Sequence, residues 1–216
     1  MRFLALIAVT HAFAAPAAEA PYKEDFEKAE VGKLPAGFTA YAGAFKVAEE
    51  SGKKFLELPG APLETFGVLF GPALKPAELG EKAMTASGRF YATSVKRKSP
   101  ALGISLGGVG GYRLQVSAAK GLLEIFKADE SRASAPFQWT SGSWTVLRIQ
   151  ARQSGGKWLI EGKAWLADAA EPLAWSVSHD AEEPPPQGKA AVWGNPFSGT
   201  PIRYDDLTVA VVEPSK

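Results

Sequence analysis

The chain has 216 residues, of which 46% are apolar and 22% charged, a balance typical of a folded protein rather than a disordered one. Lys and Arg (24) nearly balance Asp and Glu (23), so the net charge of +1 gives no general attraction to nucleic acid or to an anionic membrane. The absence of Cys and the presence of only two His exclude thiol chemistry, Cys-ligated metals and most multi-His sites.

The first twenty residues predict a cleavable secretion signal. Residues 1–2 give a positive start, and residues 3–15 are mostly apolar but too short to span a bilayer, which needs about 20. Small residues at the −3 and −1 positions place the cleavage after Ala20, with cleavage after Ala17 as the alternative. No later apolar run has the length of a transmembrane helix, so we expect a secreted or periplasmic protein with one domain over residues 21–216.

From Tyr22 onward, apolar residues alternate at period two between clusters of Gly, Pro, Ser and Asp. This pattern predicts roughly a dozen short strands and an all-β sandwich or barrel. Residues 73–84 are the only stretch with helical composition, and Pro76 and Gly80 limit any helix there to a turn or two. The Gly-rich segment 107–111 joins two strands and lacks the helix and Lys of a phosphate loop, so nucleotide binding is not expected.

Alternation also predicts which side chains point away from the core, because successive residues of a strand face opposite ways. In residues 144–152 the apolar Leu147, Ile149 and Ala151 form the buried set, which leaves polar side chains on the other face. The same rule applied to the neighbouring strands predicts a polar face built from nine residues: Tyr91, Arg113, Gln115, Arg148, Gln150, Arg152, Glu161, Lys163 and Trp165.

Two interpretations of this polar face remain open. A glycan-binding groove uses the same residue types, since an aromatic ring stacks on a sugar while Arg, Gln and Glu bond to its hydroxyls, and the basic bias would suit acidic glycans. A solvated outer sheet surface also carries such residues. The other tryptophans, Trp139, Trp175 and Trp193, are expected in core or edge packing.

Both ends of the predicted domain are acidic. In the last strand Leu207, Val209 and Val211 set the inward face, and by parity Asp205 shares it, where a carboxylate needs a partner. Calcium is one candidate for that partner, held by Asp205 with Asp25 or Glu27 if the first and last strands pair. Neutralisation by Arg203, or a place at a strand end, would need no metal.

These residues also carry a family resemblance. Asp25-Phe26-Glu27 with the following segment 31–38, the strand that begins at Trp144, and the closing motif Tyr204-Asp205-Asp206-Leu207 resemble the concanavalin A-like jelly-roll sandwiches, which include laminin G-like and laminarinase-like proteins. Uncharacterised exported bacterial sandwich domains are especially similar. The resemblance implies two stacked antiparallel sheets, often a structural calcium between the chain ends, and often a glycan site on the concave sheet.

The enzymes of that superfamily do not match at their catalytic motifs. Laminarinase-type hydrolases carry Glu-x-Asp-x-x-Glu on one strand, and the nearest stretch here, 124–130, has Phe126 in place of the Asp, which breaks the carboxylate pair. Alginate lyases of this fold use Gln-x-His, whereas Gln115-Val116-Ser117 lacks the His. Glu161 is the one carboxylate on the predicted polar face, so the sequence assigns no catalytic residue.

Three functions follow in order of preference. The first is an exported carbohydrate-binding sandwich of unknown glycan specificity, acidic glycans included. The second is a non-catalytic structural or protein-interaction domain of the cell envelope, with an apolar edge or the loop 193–197 as its contact. The third is a divergent glycan hydrolase or lyase that uses Glu161. None of them involves nucleic acid or a membrane span, and the oligomeric state stays open.

Overall fold

The computed structural model describes residues 20–60 and 64–214, so the predicted signal peptide, apart from Ala20, lies outside the described residues. The described residues form fifteen strands and one short 3-10 helix, Pro76–Glu78, which is the only helical turn in the region where the sequence allowed one or two. The strands are β1 (Tyr22–Glu24), β2 (Thr39–Ala42), β3 (Lys46–Glu50), β4 (Lys53–Leu58), β5 (Phe66–Leu74), β6 (Ala83–Tyr91), β7 (Ala101–Leu106), β8 (Tyr112–Ser117), β9 (Leu122–Lys127), β10 (Glu130–Pro136), β11 (Thr145–Ser154), β12 (Lys157–Leu166), β13 (Val177–Ala181), β14 (Gly188–Asn195) and β15 (Ile202–Val212).

The strands build two stacked antiparallel sheets. Sheet I has eight strands in the order β13-β12-β11-β6-β15-β4-β3, with β1 paired to β15. Sheet II has seven strands in the order β10-β9-β8-β7-β14-β5-β2. The prediction of an all-β, two-sheet antiparallel sandwich is confirmed. Among the residues that the structure describes, no helix is long and apolar enough to cross a membrane.

The core lies between the inner faces of the two sheets, where strand alternation predicts it. Leu147, Ile149 and Ala151 of β11 are fully buried, as are Leu114 and Val116 of β8. These side chains belong to one continuous apolar cluster that draws on both sheets. Burial of alternate apolar side chains from two facing sheets is the main stabilising contribution in such a sandwich.

Strand β15 breaks the alternation at Asp205 and Asp206. Its pairing with β6 shifts register between Asp205 and Thr208, and Asp206 adopts a left-handed backbone conformation with φ of 49°. Tyr204 and Leu207 therefore both point into the core, although three positions separate them, and Asp205 lies between them on the outward side, half-buried. The parity that placed Asp205 on the inward face is wrong, because the bulge switches the faces within the strand.

Tyr204 is the largest side chain buried completely in the core. Its ring packs edge-on against Phe90, with ring centres 5.4 Å apart, and lies 5.8 Å from Phe45. The phenolic oxygen faces Gly194, where even an added Cβ would collide with it. No hydrogen-bond partner for that oxygen is present among the described residues.

Candidate functional site

The nine residues of the predicted polar face do not lie on one surface. Seven of them lie on the outer face of sheet I, and Arg113 and Gln115 lie on the outer face of sheet II, because β8 pairs with β7 and β9. The expectation of a single shared face is therefore wrong for Arg113 and Gln115. Alternation specifies which way a side chain points relative to its own sheet but does not specify the sheet.

On sheet I, Glu161 of β12 is hydrogen-bonded to two side chains of the adjacent strand β11. Its carboxylate accepts hydrogen bonds from Gln150 Nε2 and from Arg152 Nε, both at 3.0 Å. Gln150 and Glu161 are almost fully buried even though they lie on the outward side of the sheet. The single carboxylate that the sequence put on this face thus acts as the centre of a small polar network.

Residues 167–176, which connect β12 to β13, cover this part of sheet I and are called the cover segment. Glu171 of the cover segment accepts a hydrogen bond from Arg148 Nη1 at 2.7 Å and lies 2.8 Å from Lys163 Nζ. Lys163 also donates to the carbonyl oxygen of Pro172 at 2.7 Å, and its side chain is only 6% exposed. Lys163 is consequently held inside the protein, whereas Arg148, whose side chain is 37% exposed, bonds to Glu171 at the surface.

The aromatic residues of sheet I also pack against its own side chains. Trp165 is half-buried, with the guanidinium carbon of Arg148 5.9 Å from its ring centre. Tyr91 lies 5.5 Å from the ring of Trp144 and a similar distance from the guanidinium of Arg203. Of the predicted sheet I residues, only Arg148 and Gln150 line a groove, which lies between the cover segment and β1.

Sheet II carries a different arrangement, a line of aromatic and cationic side chains in contact across its outer face, with the rings of Tyr41 and Trp193 tilted by 58°. The ring centres of Tyr41 and Trp193 lie 6.1 Å apart, and the guanidinium carbon of Arg113 lies 5.3 Å from the Trp193 ring and 5.0 Å from the Phe126 ring. These four residues, Tyr41, Trp193, Arg113 and Phe126, are called the stacked row. Their side chains come from β2, β14, β8 and β9 and so cross most of the sheet.

Two glycines allow the stacked row to lie flat on the sheet. Gly67 lies opposite Trp193 on β5, and an added Cβ there would be 2.7 Å from the indole ring. Gly103 on β7 lies opposite Trp193 on the other side, and its added Cβ would be 3.3 Å from the side chain of Arg113. The indole N–H of Trp193 donates to Ser105 Oγ at 2.8 Å, which fixes the ring. The sequence did not predict the three aromatic residues of the stacked row, Trp193, Phe126 and Tyr41, as site residues. The sequence signal for them is the presence of glycines on the neighbouring strands.

Arg113 is the one charged member of the stacked row. Among the described residues no carboxylate forms an ion pair with it, and its buried Nε has no hydrogen-bond partner. Burial lowers the pKa of the guanidinium, and the charge of Asp129 only partly offsets that effect. A half-buried cation between two aromatic rings, without a counter-ion from the described chain, is an arrangement that can receive an anionic group.

The carboxylate next to the stacked row is already satisfied. Glu124 accepts hydrogen bonds from Ser117 Oγ and from Ser131 Oγ, and Lys120 Nζ lies 3.3 Å away. Burial tends to raise the pKa of Glu124, but these donors outweigh it and the pKa is lowered. Glu124 therefore stays ionised at neutral pH and does not resemble the protonated acid that glycoside hydrolysis requires. Gln115, which donates to Ser117 Oγ at 3.0 Å, extends the same network.

The three predicted calcium ligands do meet at one place. Asp25, Glu27 and Asp205 line a depression of about 340 Å³ that also contains Asp206. Glu27 lies 3.4 Å from Lys53 Nζ, and Asp206 accepts a hydrogen bond from Arg89 Nη1 at 3.0 Å. Among the residues that the structure describes, however, no three Asp, Glu or His side chains are grouped closely enough to hold a metal ion.

Asp205 itself is not neutralised by Arg203. That arginine bonds instead to Glu50, with Nη1–Oε2 2.6 Å and Nη2–Oε1 3.0 Å, and it lies 3.9 Å from Glu57. Asp205 accepts a hydrogen bond from the backbone N–H of Asp206 at 2.8 Å. Desolvation by burial raises the pKa of Asp205 to about 6, and the charge of Asp206 adds to the effect.

The loop proposed as a protein contact differs from expectation. Trp193 belongs to β14 and is only 5% exposed, whereas Phe197 is 38% exposed. Loop 193–197 therefore presents one exposed ring rather than an apolar cluster, and the envelope-interaction hypothesis would have to rely on an apolar edge instead.

Solved structures share this architecture. Lectin I-B4 of Griffonia simplicifolia, in a metal-free form, matches with a TM-score of 0.57 at 9% identity, over 89% of this chain and 99% of the lectin. The fold is the concanavalin A-like jelly roll. GH43B of the Bacteroides ovatus xyloglucan PUL matches with a TM-score of 0.58 at 13% identity, over 94% of this chain and 41% of its own. The CBM2 module of the evolved Dit protein of Lactobacillus casei BL23 phage J-1 matches with a TM-score of 0.55 at 10% identity, over 90% of this chain and 96% of the module.

Neither a protein-family model nor a curated protein matches the sequence. At identities this low, the structural likeness establishes the jelly-roll fold and leaves the ligand to be argued from the side chains of this chain.

Proposed function

We propose that this protein binds carbohydrate on the outer face of sheet II and that Arg113 contacts an acidic group of the sugar. The observation that carries the proposal is the guanidinium of Arg113, held between Trp193 and Phe126 without an ion pair from the described residues. Because burial of an unpaired charge costs free energy, a site that keeps one is suited to a ligand of opposite charge.

The neighbours of Arg113 suit a sugar ring. Tyr41, at one end of the stacked row, is 61% exposed, so the face of its ring is available for stacking. Half-buried Gln115 lies two residues along the strand from Arg113 and supplies both a donor and an acceptor for hydroxyl groups. Arg binds a carboxylate or sulfate through two parallel hydrogen bonds, which makes uronic or sulfated sugars the expected ligands.

Sheet I is less suited to an acidic ligand. Each of its cations in this region contacts a carboxylate of the same chain, which Arg113 does not: Arg148 and Lys163 share Glu171, and Arg152 is paired with Glu161. Several proteins of the same fold are lectins or carbohydrate-binding modules by name, which supports the general class of ligand without specifying it.

The test is binding of the purified protein to polygalacturonate, alginate and a sulfated galactan, measured by affinity electrophoresis and calorimetry. Arg113→Met should abolish binding, since Met preserves the apolar stem but removes the charge. Arg97→Met, in an exposed loop, is the matched charge control and should leave binding unchanged. Absence of binding to all three polymers, or equal loss in both variants, would reject the proposal.

We further propose that calcium stabilises the acidic depression between the chain ends. The support is the charge balance: four carboxylates (Asp25, Glu27, Asp205, Asp206) face two cations (Lys53, Arg89), and desolvation raises the pKa of Asp205. Carboxylate oxygens are the ligands that calcium prefers. Thermal unfolding with calcium and with a chelator tests this proposal, and equal melting temperatures in the two conditions would reject it.

We further propose that the protein is exported, because its first twenty residues have the sequence pattern of a cleavable secretion signal. Glycan polymers lie mainly outside the cytoplasm, so an exported location fits the proposed ligand. Fractionation of cells that express the full chain tests it, and mass spectrometry of the exported protein would give the cleavage site. Retention of an uncleaved protein in the cytoplasm would contradict this proposal without affecting the glycan site.

A further inference from the structure

Two loops cross from one sheet to the other at the same end of the sandwich. Loop 92–100 connects β6 to β7, and loop 196–201 connects β14 to β15. Strand β6 pairs with β15 in sheet I, and β7 pairs with β14 in sheet II. Both pairings run to the strand ends that border the loops, so the two loops leave the sandwich side by side. We call this part of the molecule the loop end.

The first of these loops ends in a tight turn of fixed shape. Val95 and Lys98 pair across the turn through two backbone hydrogen bonds of 3.0 Å. Lys96, the first residue inside the turn, has the left-handed φ of 57° that two-residue hairpin turns use. Below the turn the hydroxyl oxygens of Ser94 and Ser99 lie 2.9 Å apart and link the two arms of the loop. The turn therefore has its shape before any partner binds.

The turn carries three consecutive cations, residues 96–98, which we call the basic turn. All three side chains are exposed, and none of them forms an ion pair among the described residues. Neither loop contains an acidic residue, and the neighbouring connection 59–65 adds only Glu64 to this end. The loop end is therefore locally positive, although the chain as a whole is nearly neutral.

Two exposed apolar side chains belong to the same loops. Val95, at the base of the basic turn, is 41% exposed, and Phe197 of the second loop is 38% exposed. The loops are tied together, because Thr93 Oγ1 donates to Thr200 Oγ1 at 3.2 Å and Thr200 Oγ1 donates to the carbonyl oxygen of Thr93 at 3.1 Å. Exposed apolar groups next to unpaired cations are the combination that interfacial membrane binding uses.

We propose that the loop end docks on the surface of an anionic phospholipid bilayer. The basic turn contacts the lipid phosphates, while Val95 and Phe197 enter the boundary between headgroups and acyl chains. An acidic polymer in solution would be attracted by the cations but would gain nothing from an exposed valine, whereas a bilayer gains from both. The inference does not depend on the glycan site, which shares no residue with the loop end. Docking in this way leaves the stacked row uncovered, since that row lies on the face of sheet II.

The test is co-sedimentation of the protein with phosphatidylcholine vesicles that contain or lack phosphatidylglycerol, at low and at physiological salt. Residues 21–216 are used, because the apolar leader would itself bind vesicles and because this part contains every strand of the fold. The parent should bind only the anionic vesicles. Binding should weaken as salt screens the cations.

Variants separate the contributions of charge and apolar contact. Replacing all three cations of the basic turn by Gln should weaken binding about 100-fold, because each cation near an anionic bilayer contributes about fivefold. Phe197→Ser should weaken it about tenfold, and Val95→Ser, with fewer apolar atoms, about threefold. Val109→Ser is the apolar control, since Val109 is 40% exposed in the connection between β7 and β8 at the opposite end. The charge control removes three cations from that opposite end: Lys75→Gln, Lys82→Gln and Lys157→Gln.

Melting curves of all variants come first, so that a loss of binding is read only in folded protein. Loss of anionic vesicle binding in the loop-end variants, with both controls and Arg113→Met unchanged, supports the inference whether or not glycans bind. The inference is overturned if the parent does not bind anionic vesicles at low salt. Equal losses in the two triple variants, or unchanged binding in both Phe197→Ser and Val95→Ser, would also overturn it, because net charge alone would then explain the binding. If the basic-turn variant loses binding to polygalacturonate but not to vesicles, the partner of this end is an acidic polymer and the bilayer is excluded.

Discussion

The guanidinium carbon of Arg113 lies 5.3 Å from the centre of the Trp193 ring, and both side chains lie flat over glycines of the neighbouring strands. Arg113 is half-buried and contacts two aromatic rings, but it has no ion pair among the described residues. The rings therefore offset only part of the free energy that burial of its charge costs. The remaining cost is consistent with a residue retained for binding rather than for stability.

This balance leads to a prediction for Arg113→Met. The variant should lose acidic glycan binding while its free energy of unfolding rises or stays within about 0.5 kcal/mol of the parent, because the unpaired charge is removed and the stem still packs on Gly103. Urea unfolding of both proteins measures the difference. A loss of more than about 1.5 kcal/mol would show that the two ring contacts stabilise the fold more than the desolvation costs.

Gly67→Ala should disrupt the stacked row from beneath. The new methyl group would lie 2.7 Å from the Trp193 ring, so the ring must move, and we expect a loss of about 1–3 kcal/mol in unfolding free energy together with weaker acidic glycan binding. Gly110→Ala is the control, because nothing lies within 4 Å of an added Cβ there. Equal stability of the two variants in urea unfolding would contradict the proposed packing of Trp193.

Much of the fold could be predicted from local pattern, whereas the site could not. Alternation identified the buried set of β11 and the outward direction of Arg113, since both depend only on neighbours in one strand. It could not show that β8 belongs to the opposite sheet from β11, which depends on pairing between distant segments. Alternation also could not reveal the bulge at Asp206. One residue with a left-handed backbone there changes which residues on either side of it in the strand face the core.

The cover segment illustrates the same limit on sheet I. Arg148 and Lys163 look like free cations in the sequence, yet both contact Glu171, which lies 23 residues after Arg148. A salt bridge of that separation leaves no periodic signal, since it depends on how a loop folds back over the sheet. Sequence reasoning therefore located the polar positions but could not distinguish paired from unpaired charges.

The cover segment gives a third prediction. Glu171→Gln should lower the unfolding free energy by about 1–3 kcal/mol, because Lys163, whose side chain is 6% exposed, loses its counter-ion. Glu182→Gln, which removes the exposed partner of Lys157, should have little or no effect. Adding Lys163→Met to Glu171→Gln should recover part of the loss in chemical denaturation, and no recovery would mean that Lys163 is not the residue left unpaired.

The raised pKa of Asp205 predicts an unusual pH dependence of the folding stability. Its folded pKa of about 6 lies above the unfolded value of about 3.9, so the folded state binds the extra proton and this residue adds stability as the pH falls from about 6.5 towards 4.5. His179 acts in the opposite direction in the same range, because burial lowers its pKa and the folded state resists protonation. The contribution of Asp205 must therefore be taken as the difference between the parent and Asp205→Asn.

Thermal unfolding of both proteins in a chelator should show the parent gaining on Asp205→Asn as the pH is lowered. With calcium present, the parent should instead lose stability relative to Asp205→Asn as the pH is lowered. The metal needs ionised carboxylates, so the stabilisation that it gives declines as they are protonated. A parent-to-variant difference that does not change between pH 6.5 and 4.5 in the chelator would contradict the raised pKa of Asp205. The lack of any calcium effect at pH 7 would contradict only the metal.

The fully buried hydroxyl of Tyr204 gives the last prediction, one that concerns the core alone. Its oxygen has no hydrogen-bond partner among the described residues, and desolvation raises the pKa of the phenol well above its usual range. Tyr204→Phe keeps the contacts of the ring with Phe90 and Phe45 but removes an unsatisfied polar atom, which costs about 1–3 kcal/mol to bury. The variant should therefore equal or exceed the parent in unfolding free energy, whereas Tyr41→Phe, at an exposed ring, should change little. A clear destabilisation by Tyr204→Phe in urea unfolding would show that the hydroxyl is hydrogen-bonded in solution, with an ordered water in the core as the candidate partner.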